Sequence, residues 1–329
     1  MDRRPAVLAL LVLLLAAAAA WATTIGSAPI AFSDIIAALT RPDGSREHLV
    51  VATVRVPRIV AAMIVGASLA IAGAILQAMT GNPLASPGIL GINAGAAFAV
   101  VLALVFLGSP SREAHIWYAF AGAGVAAALV FAIASTGPGG ATPVKLALSG
   151  AIFATFLASL TAAILIFDAR TLGAVRLWTA GSLAAPEMSS VLAVLPYTVL
   201  GLAAAVVISG QVTTLSLGAD VARALGQNLA LWNLVCGACV IVLAGSAVAL
   251  AGPVGFVGLV VPHIVRLTAG TDYRWIIPFC AAGGALLVVV SDAALRHLLP
   301  ASDVPVGVTM ALIGAPFFIH LARSRTGLR

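Results

Sequence analysis

Apolar residues run through this chain in long blocks, and the polar positions fall almost entirely between the blocks. No Asp, Glu, Lys or Arg lies between Arg58 and Arg112, between Glu113 and Lys145, or between Arg223 and Arg266. A membrane-spanning helix needs about 20 apolar residues, so the first and third blocks are each long enough for two. Lipid offers no partners to backbone N–H and C=O groups, which restricts spans to helices and closed barrels. The blocks are rich in Ala, Leu and Val and show no period-2 alternation, which selects helices. The pattern predicts ten spans, at 6–22, 57–79, 92–108, 116–134, 144–167, 190–209, 229–250, 254–269, 275–295 and 305–322. Gly81-Asn82-Pro83 and Ser86-Pro87-Gly88 end the second span, Gly137-Pro138-Gly139-Gly140 the fourth, and Gly252-Pro253 separates the seventh from the eighth. The eighth is too short to cross the bilayer as a regular helix.

Composition agrees with this pattern. The 329 residues are 62% hydrophobic and 9% charged, against about 25% charged in soluble domains. That excludes a soluble enzyme, a nucleic-acid-binding domain and a disordered protein. The net charge of +6 does not point to nucleic acid, because Lys and Arg sit singly or in pairs at the ends of apolar runs. Cys236, Cys239 and Cys280 lie inside apolar runs; Cys236-x-x-Cys239 has metal or redox spacing but no second pair, so small packing residues are expected and no metal. The basic Met1–Arg4 followed by an apolar stretch resembles a signal peptide, but with many spans following it is expected to be an uncleaved first helix.

Ten spans place both termini on one side, and the basic ends, Arg3-Arg4 and Arg323 to Arg329, suit the cytoplasm. The positive-inside bias is nevertheless slight. Nine Lys/Arg fall inside and eight outside: Arg41, Arg46, Arg55, Arg58, Arg112, Arg170, Arg176 and Arg296. The external arginines are therefore expected to have a role of their own. Ala85–Gly91 and Ala251–Gly258 both place Pro and Gly before a short apolar stretch, a weak internal echo of the kind found in repeated transporter halves.

Several chemistries are missing. The single lysine, Lys145, follows Thr142-Pro143-Val144, so no Gly-Lys-Ser/Thr phosphate loop exists. No acid lies centrally in a span, as a proton- or sodium-driven carrier usually requires. Asp292 is the nearest, and Arg296 four residues on makes a helix-face ion pair the simpler reading. No His-Glu-x-x-His or Gly-x-Ser-x-Gly occurs, and His263 stands alone between Pro262 and Ile264.

The most polar internal stretch is Ser216–Asn228. Leu217, Val221 and Leu225 recur at i, i+4 and i+8, predicting a short amphipathic helix with Gly218 and Gly226 permitting turns at its ends. Such a helix either docks into a partner's groove or rests on the headgroups as a connector.

Longer motifs carry a resemblance. Arg55-Val-Pro-Arg58, Gly66-Ala-Ser-Leu-Ala-Ile-Ala-Gly73, Gln77, Asn82–Gly91, Leu217–Gly226, Gly252–Arg266 and Pro305–Phe318, in this order, resemble the FecCD family, the permeases of type II ABC importers for ferric siderophores, haem and cobalamin. The resemblance covers essentially the whole chain. It implies an all-α polytopic fold of about ten spans forming one permease domain over 1–329. The implied partners are a second permease subunit, identical or paralogous, two cytoplasmic ATPases holding ATP and Mg, and a periplasmic or lipid-anchored binding protein. No cofactor bound by this chain and no nucleic acid are implied.

The resemblance also implies roles for residues. Leu217, Gly218, Ala219, Asp220, Val221, Arg223, Leu225 and Gly226 fall on the coupling helices that meet the ATPase. Arg55, Arg58 and Arg296 match arginines that bind glutamates of the binding protein, a role suited to the bidentate guanidinium fork; anchoring to lipid phosphate is the alternative. Asn82 and Leu84, with Thr142 and Pro143, match the cytoplasmic gate, although Pro143 replaces a hydroxyl residue of the cobalamin type. The fifth span resembles the pathway lining, with Ser149, Thr155, Ser159 and Thr161 as hydroxyls; helix–helix hydrogen bonding is the alternative for them. Arg176-Leu-Trp178-Thr-Ala-Gly-Ser-Leu183 resembles a siderophore-permease segment, which favours a ferric siderophore as cargo. Haem comes next, with His115, Tyr118 and His297 near the outer face. A stand-alone channel or secondary transporter is the rival from a different class.

Overall fold

The structure is a computed structural model and describes residues 3–26, 30–108, 111–136, 142–184, 186–299 and 304–326. The helices are α1 (Arg4–Thr24), α2 (Phe32–Thr40), α3 (Arg46–Val50), α4 (Val56–Thr80), α5 (Ile92–Leu107), α6 (Arg112–Ser135), α7 (Pro143–Phe167), α8 (Ala169–Thr179), α9 (Met188–Val207), α10 (Ser209–Ser216), α11 (Ala219–Ala224), α12 (Leu229–Ala251), α13 (Val257–Ala269), α14 (Tyr273–Leu298) and α15 (Val306–Thr326). Each of the ten spans predicted from sequence has its helix. Seven described segments are long and apolar enough to cross a membrane, and Ile92–Leu107, Val257–Ala269 and Val306–Phe317 are shorter apolar helices. The 13 residues of α13 extend only about 20 Å at 1.5 Å per residue, short of the bilayer core as expected.

α4 is the hub. It packs against α14, α12, α13, α9 and α10, and apart from Val60, Met63 and Met79 its residues from Pro57 to Thr80 are buried. Small residues make this possible, since lipid gives helices no hydrophobic reason to associate and close backbone approach must supply the contact. A methyl group on Gly66 would overlap the Gly284 carbonyl of α14, and one on Gly73 would overlap Gly258 of α13. The seven-residue spacing puts both glycines on one face of α4. α5 and α6 form a second close pair, and α12 joins it to the hub. In contrast, only small parts of α1 and α7 are buried within the chain.

The second span reaches further than the sequence suggested. From Arg46 to Thr80 the helix is continuous over 35 residues, about 52 Å, with a π-turn at Val51–Arg55. Pro57 is its cause: lacking an N–H, it cannot bond the carbonyl four residues back, and the wider turn absorbs the mismatch. A bilayer core is about 30 Å thick, so the Arg46–Arg55 end projects from it and Arg58 lies near its boundary.

The two Pro/Gly segments of the internal echo meet. Ser86, Pro87 and Gly88 face Val254, Gly255, Phe256 and Gly258 across a void of about 50 Å³. Irregular backbone at membrane depth survives only where protein surrounds it, and each segment encloses the other. Phe256 takes the left-handed conformation at φ 65° and packs on Gly314 of α15.

Candidate functional site

At the predicted outer end, the three arginines expected to be presented to a partner are turned inward. Arg55 and Arg58 are 4% and 8% exposed. Arg58 grips Asp292 bidentately, Nε to Oδ2 at 3.0 Å and Nη2 to Oδ1 at 2.8 Å. Arg296 adds Nε to Oδ2 at 3.1 Å and donates from Nη1 to the Ile25 carbonyl at 2.7 Å. Arg55 donates to the Thr23 carbonyl. One carboxylate, 3% exposed, thus serves two guanidinium groups and ties α4 to α14, while the arginines satisfy the carbonyls that end α1, a helix terminus with free acceptors. The i, i+4 pair expected between Asp292 and Arg296 is present. The bidentate contact with Arg58, 234 positions away, had no signal in the sequence. In this state a partner's carboxylate would have to compete with Asp292 for Arg58.

At the opposite end, the stretch 216–228 holds a short helix between its two glycines, as expected, but shorter than the apolar stripe. Leu217 caps α10, Gly218 turns at φ 99°, and helix resumes only for Ala219–Ala224. Leu225 and Gly226, φ 80°, lie beyond it. The i, i+4, i+8 stripe is broken because Gly218 ends one helix before the next begins. Leu217, Val221 and Leu225 nevertheless all remain exposed, at 56%, 46% and 64%, with Ala222 as the buried anchor of α11. Asp220 and Arg223 form an exposed ion pair at 3.0 Å.

The two segments expected to form the gate lie at this same end. Asn82 Oδ1 accepts from the Leu84 amide at 2.9 Å, closing an Asx turn after α4. Thr142 caps α7, its hydroxyl accepting from the Lys145 amide, and Pro143 takes the first helical position, where its missing N–H costs nothing. Met79 and Leu146, just inside these segments, line one apolar cavity of about 290 Å³ with residues of α6 and α12.

α7 keeps one face on the protein and leaves the other bare. Leu146, Leu157 and Thr161 are buried; Leu148, Ile152, Thr155, Phe156 and Ser159 are exposed, and Ser149 is half-buried. Thr155, Ser159 and Thr161 donate to carbonyls four residues back in their own helix, at 2.8, 2.9 and 2.8 Å. Their hydroxyl protons are thus occupied locally rather than by a neighbouring helix. The segment Trp178–Leu183 serves packing. Gly252 sits on the Trp178 carbonyl, Gly181 on that of Pro253, and the Gly307 amide donates to the Gly181 carbonyl at 2.9 Å. The segment pins the start of α15 beside the break before α13.

Comparison with known proteins gives this arrangement its context. The model of the FecCD transport family matches residues 10–324. The Fe(3+)-citrate import system permease protein YfmD of Bacillus subtilis is 44% identical over 306 residues, 93% of this chain and 91% of that one. The iron(3+)-hydroxamate import system permease protein FhuB of Bacillus subtilis is 44% identical over 283 residues, 85% of this chain and 73% of that one. A solved structure described as an inward-facing metal-chelate type ABC transporter superposes with a TM-score of 0.83 at 28% identity, covering 97% of this chain and 99% of the other.

Proposed function

This chain belongs to the FecCD transport family, and on that premise we propose that it imports a ferric chelate, a ferric siderophore in particular, into the cytoplasm. It is a multi-pass membrane protein and the permease subunit of an ABC importer. The observation that carries the cargo is its 44% identity to permeases named for ferric citrate and ferric hydroxamate. The exposed face of α7 agrees: large apolar side chains such as Leu148, Ile152 and Phe156, with the Thr155 and Ser159 hydroxyls bonded within the helix, offer a bulky complex few polar holds, which suits passage rather than storage.

In this reading the chain sits in the plasma (inner) membrane with both termini in the cytoplasm. A second permease subunit, identical or paralogous, faces the bare side of α7 across the pathway. Two ATPases bind ATP and Mg and press on Leu217, Val221 and Leu225, a trio whose exposure leaves it open to a partner's groove. A periplasmic or lipid-anchored binding protein delivers the chelate at the end that carries Arg55, Arg58 and Arg296. Asn82 and Leu84 with Thr142 and Pro143 close the inner end.

The test is uptake of radiolabelled iron in cells with and without this chain, from ferric citrate, a ferric hydroxamate and haem. Loss confined to a ferric siderophore supports the assignment. Loss confined to haem keeps the architecture and replaces the cargo. Uptake unchanged from every source refutes an iron cargo.

A further inference from the structure

A polar chain runs through the inner end of the molecule where apolar packing would be expected. Gln77, 3% exposed in the hub helix α4, uses its whole amide. Its Nε2 donates to the carbonyls of Ala85 and Gly258 at 3.2 and 3.1 Å, and its Oε1 accepts from Arg266 Nη2 at 2.7 Å. The Gly258 carbonyl needs such a donor, because the residue four positions on is Pro262, which has no N–H to give. Ala85 closes the turn begun by Asn82, its amide donating to the Asn82 carbonyl at 3.0 Å.

The chain continues away from the gate. Arg266 Nη2 also reaches the Tyr273 hydroxyl at 3.3 Å. The Tyr273 amide donates to Thr213 Oγ1 at 3.0 Å, and that hydroxyl faces Asp272 Oδ1 at 3.3 Å. Thr213 belongs to α10, and two residues earlier the Gln211 carbonyl accepts from Gln227 Nε2 at 3.0 Å. The Gln227 amide in turn donates to the Ala222 carbonyl of α11 at 2.9 Å. Gln77, Arg266, Tyr273 and Thr213, together with the α10 backbone from Gln211 to Thr213, thereby link the exposed segment 217–227 to the turn at Asn82–Ala85.

We propose that Gln77, Arg266, Tyr273 and Thr213 are positioning residues of the transport cycle, a hydrogen-bonded tie that carries displacement of the 217–227 segment to the Asn82–Ala85 turn. The proposal rests on the assignment of those two segments to ATPase contact and gate. Buried polar networks in a low-dielectric interior break at high cost and rigidify what they join; the links from Gln77 to Thr213 are of this kind, whereas the Gln227 link to Gln211 lies at the exposed end. Spatial continuity alone does not establish coupling; the serial arrangement supplies a stricter criterion. Links in one tie do not add: once one is cut, cutting another changes little.

Tyr273→Phe and Thr213→Val each remove one oxygen and keep the side-chain shape, and neither lies on α7, the helix assigned to the pathway. Both variants and their double are reconstituted with the ATPases and binding protein, and uptake of labelled ferric citrate and ferric hydroxamate is measured per ATP hydrolysed. The tie predicts that each single variant lowers this ratio about tenfold, in the usual range for coupling between distant sites. ATP hydrolysis stays within about twofold, and the double variant is no worse than the more affected single. A purely structural role lowers uptake and hydrolysis together and adds in the double; that result, or an unchanged ratio, overturns the proposal. Val221→Asp tests the underlying assignment separately by co-purification of the ATPase. If the ATPase stays bound, the docking assignment fails. If it is released while Tyr273→Phe and Thr213→Val keep the wild-type ratio, docking stands and the tie is overturned.

Discussion

Replacing Asp292 by Asn removes the one negative charge between Arg58 and Arg296 while preserving shape. In the native arrangement the carboxylate accepts three bonds from Arg58 and one from Arg296, and the side chains of Arg58, Asp292 and Arg296 are nearly enclosed, at 10%, 4% and 14% exposure. At a separation near 4 Å and an effective dielectric of about 20, each pair contributes about 4 kcal/mol of Coulomb attraction. Desolvation and the mutual repulsion of the guanidinium groups offset part of it. Breaking a buried pair by removing one partner typically costs about 3–5 kcal/mol, because the remaining charge stays buried. The amide makes matters worse, since its NH2 confronts a donor. Asp292→Asn should therefore lose about 3–5 kcal/mol of stability, measured by reversible unfolding in mixed micelles with tryptophan fluorescence. Trp21, whose ring lies 6.5 Å from that of His297, reports on this end. Adding Arg58→Leu to the Asn variant should recover part of the loss by removing a surplus charge. A loss below about 1 kcal/mol, or simple additivity of the two substitutions, refutes the view that Asp292 holds the outer end together.

Because Arg58→Glu also faces Asp292, it is paired with Asp292→Asn. In protein that still unfolds cooperatively, the double variant should weaken association with the binding protein and flatten its dependence on salt, as read by titration at two ionic strengths, whereas Asp292→Asn alone should not; equal effects of the two would leave lipid anchoring as the better account. Gly66→Leu should abolish folding or cost well over about 3 kcal/mol, because its side chain meets the Gly284 backbone; normal expression and a cooperative unfolding transition would contradict the packing. Ser159→Ala should change stability by less than about 0.5 kcal/mol, since the exposed hydroxyl bonds only its own helix, whereas Ser159→Trp should obstruct iron uptake while leaving ATP hydrolysis in place; free uptake by the Trp variant would move the pathway away from this face.

The spans were legible because each block of Ala, Leu and Val between charged residues has one physical solution in lipid. Their ends were legible wherever Pro and Gly stand together, as at Gly81–Pro83 and Gly252-Pro253. The π-turn before Pro57 was not, because a proline preceded by apolar residues reads equally as the start of a helix. The turns at Gly218 and Gly226 were legible because glycine alone takes such backbone easily, but periodicity counted Leu217 and Leu225 into the helix, and both lie just outside Ala219–Ala224. Long-range pairs left no trace at all. Nothing near Arg58 points to Asp292, and nothing near Gln77 points to the carbonyl stranded by Pro262. A polar residue in an apolar run announces only that a partner exists.

The glycine contacts of α4 divide the molecule mechanically. Where backbone touches backbone, as at Gly66 with Gly284 and Gly73 with Gly258, no side chain remains to flex, so α4, α13 and α14 form a stiff keel. α7 is held along one face only, with a backbone contact of this kind at Gly150 against Ile89. Spin labels on Leu267 of α13 and Val290 of α14, both exposed, would make an internal ruler of constant length through a transport cycle, against which the travel of α7 could be read.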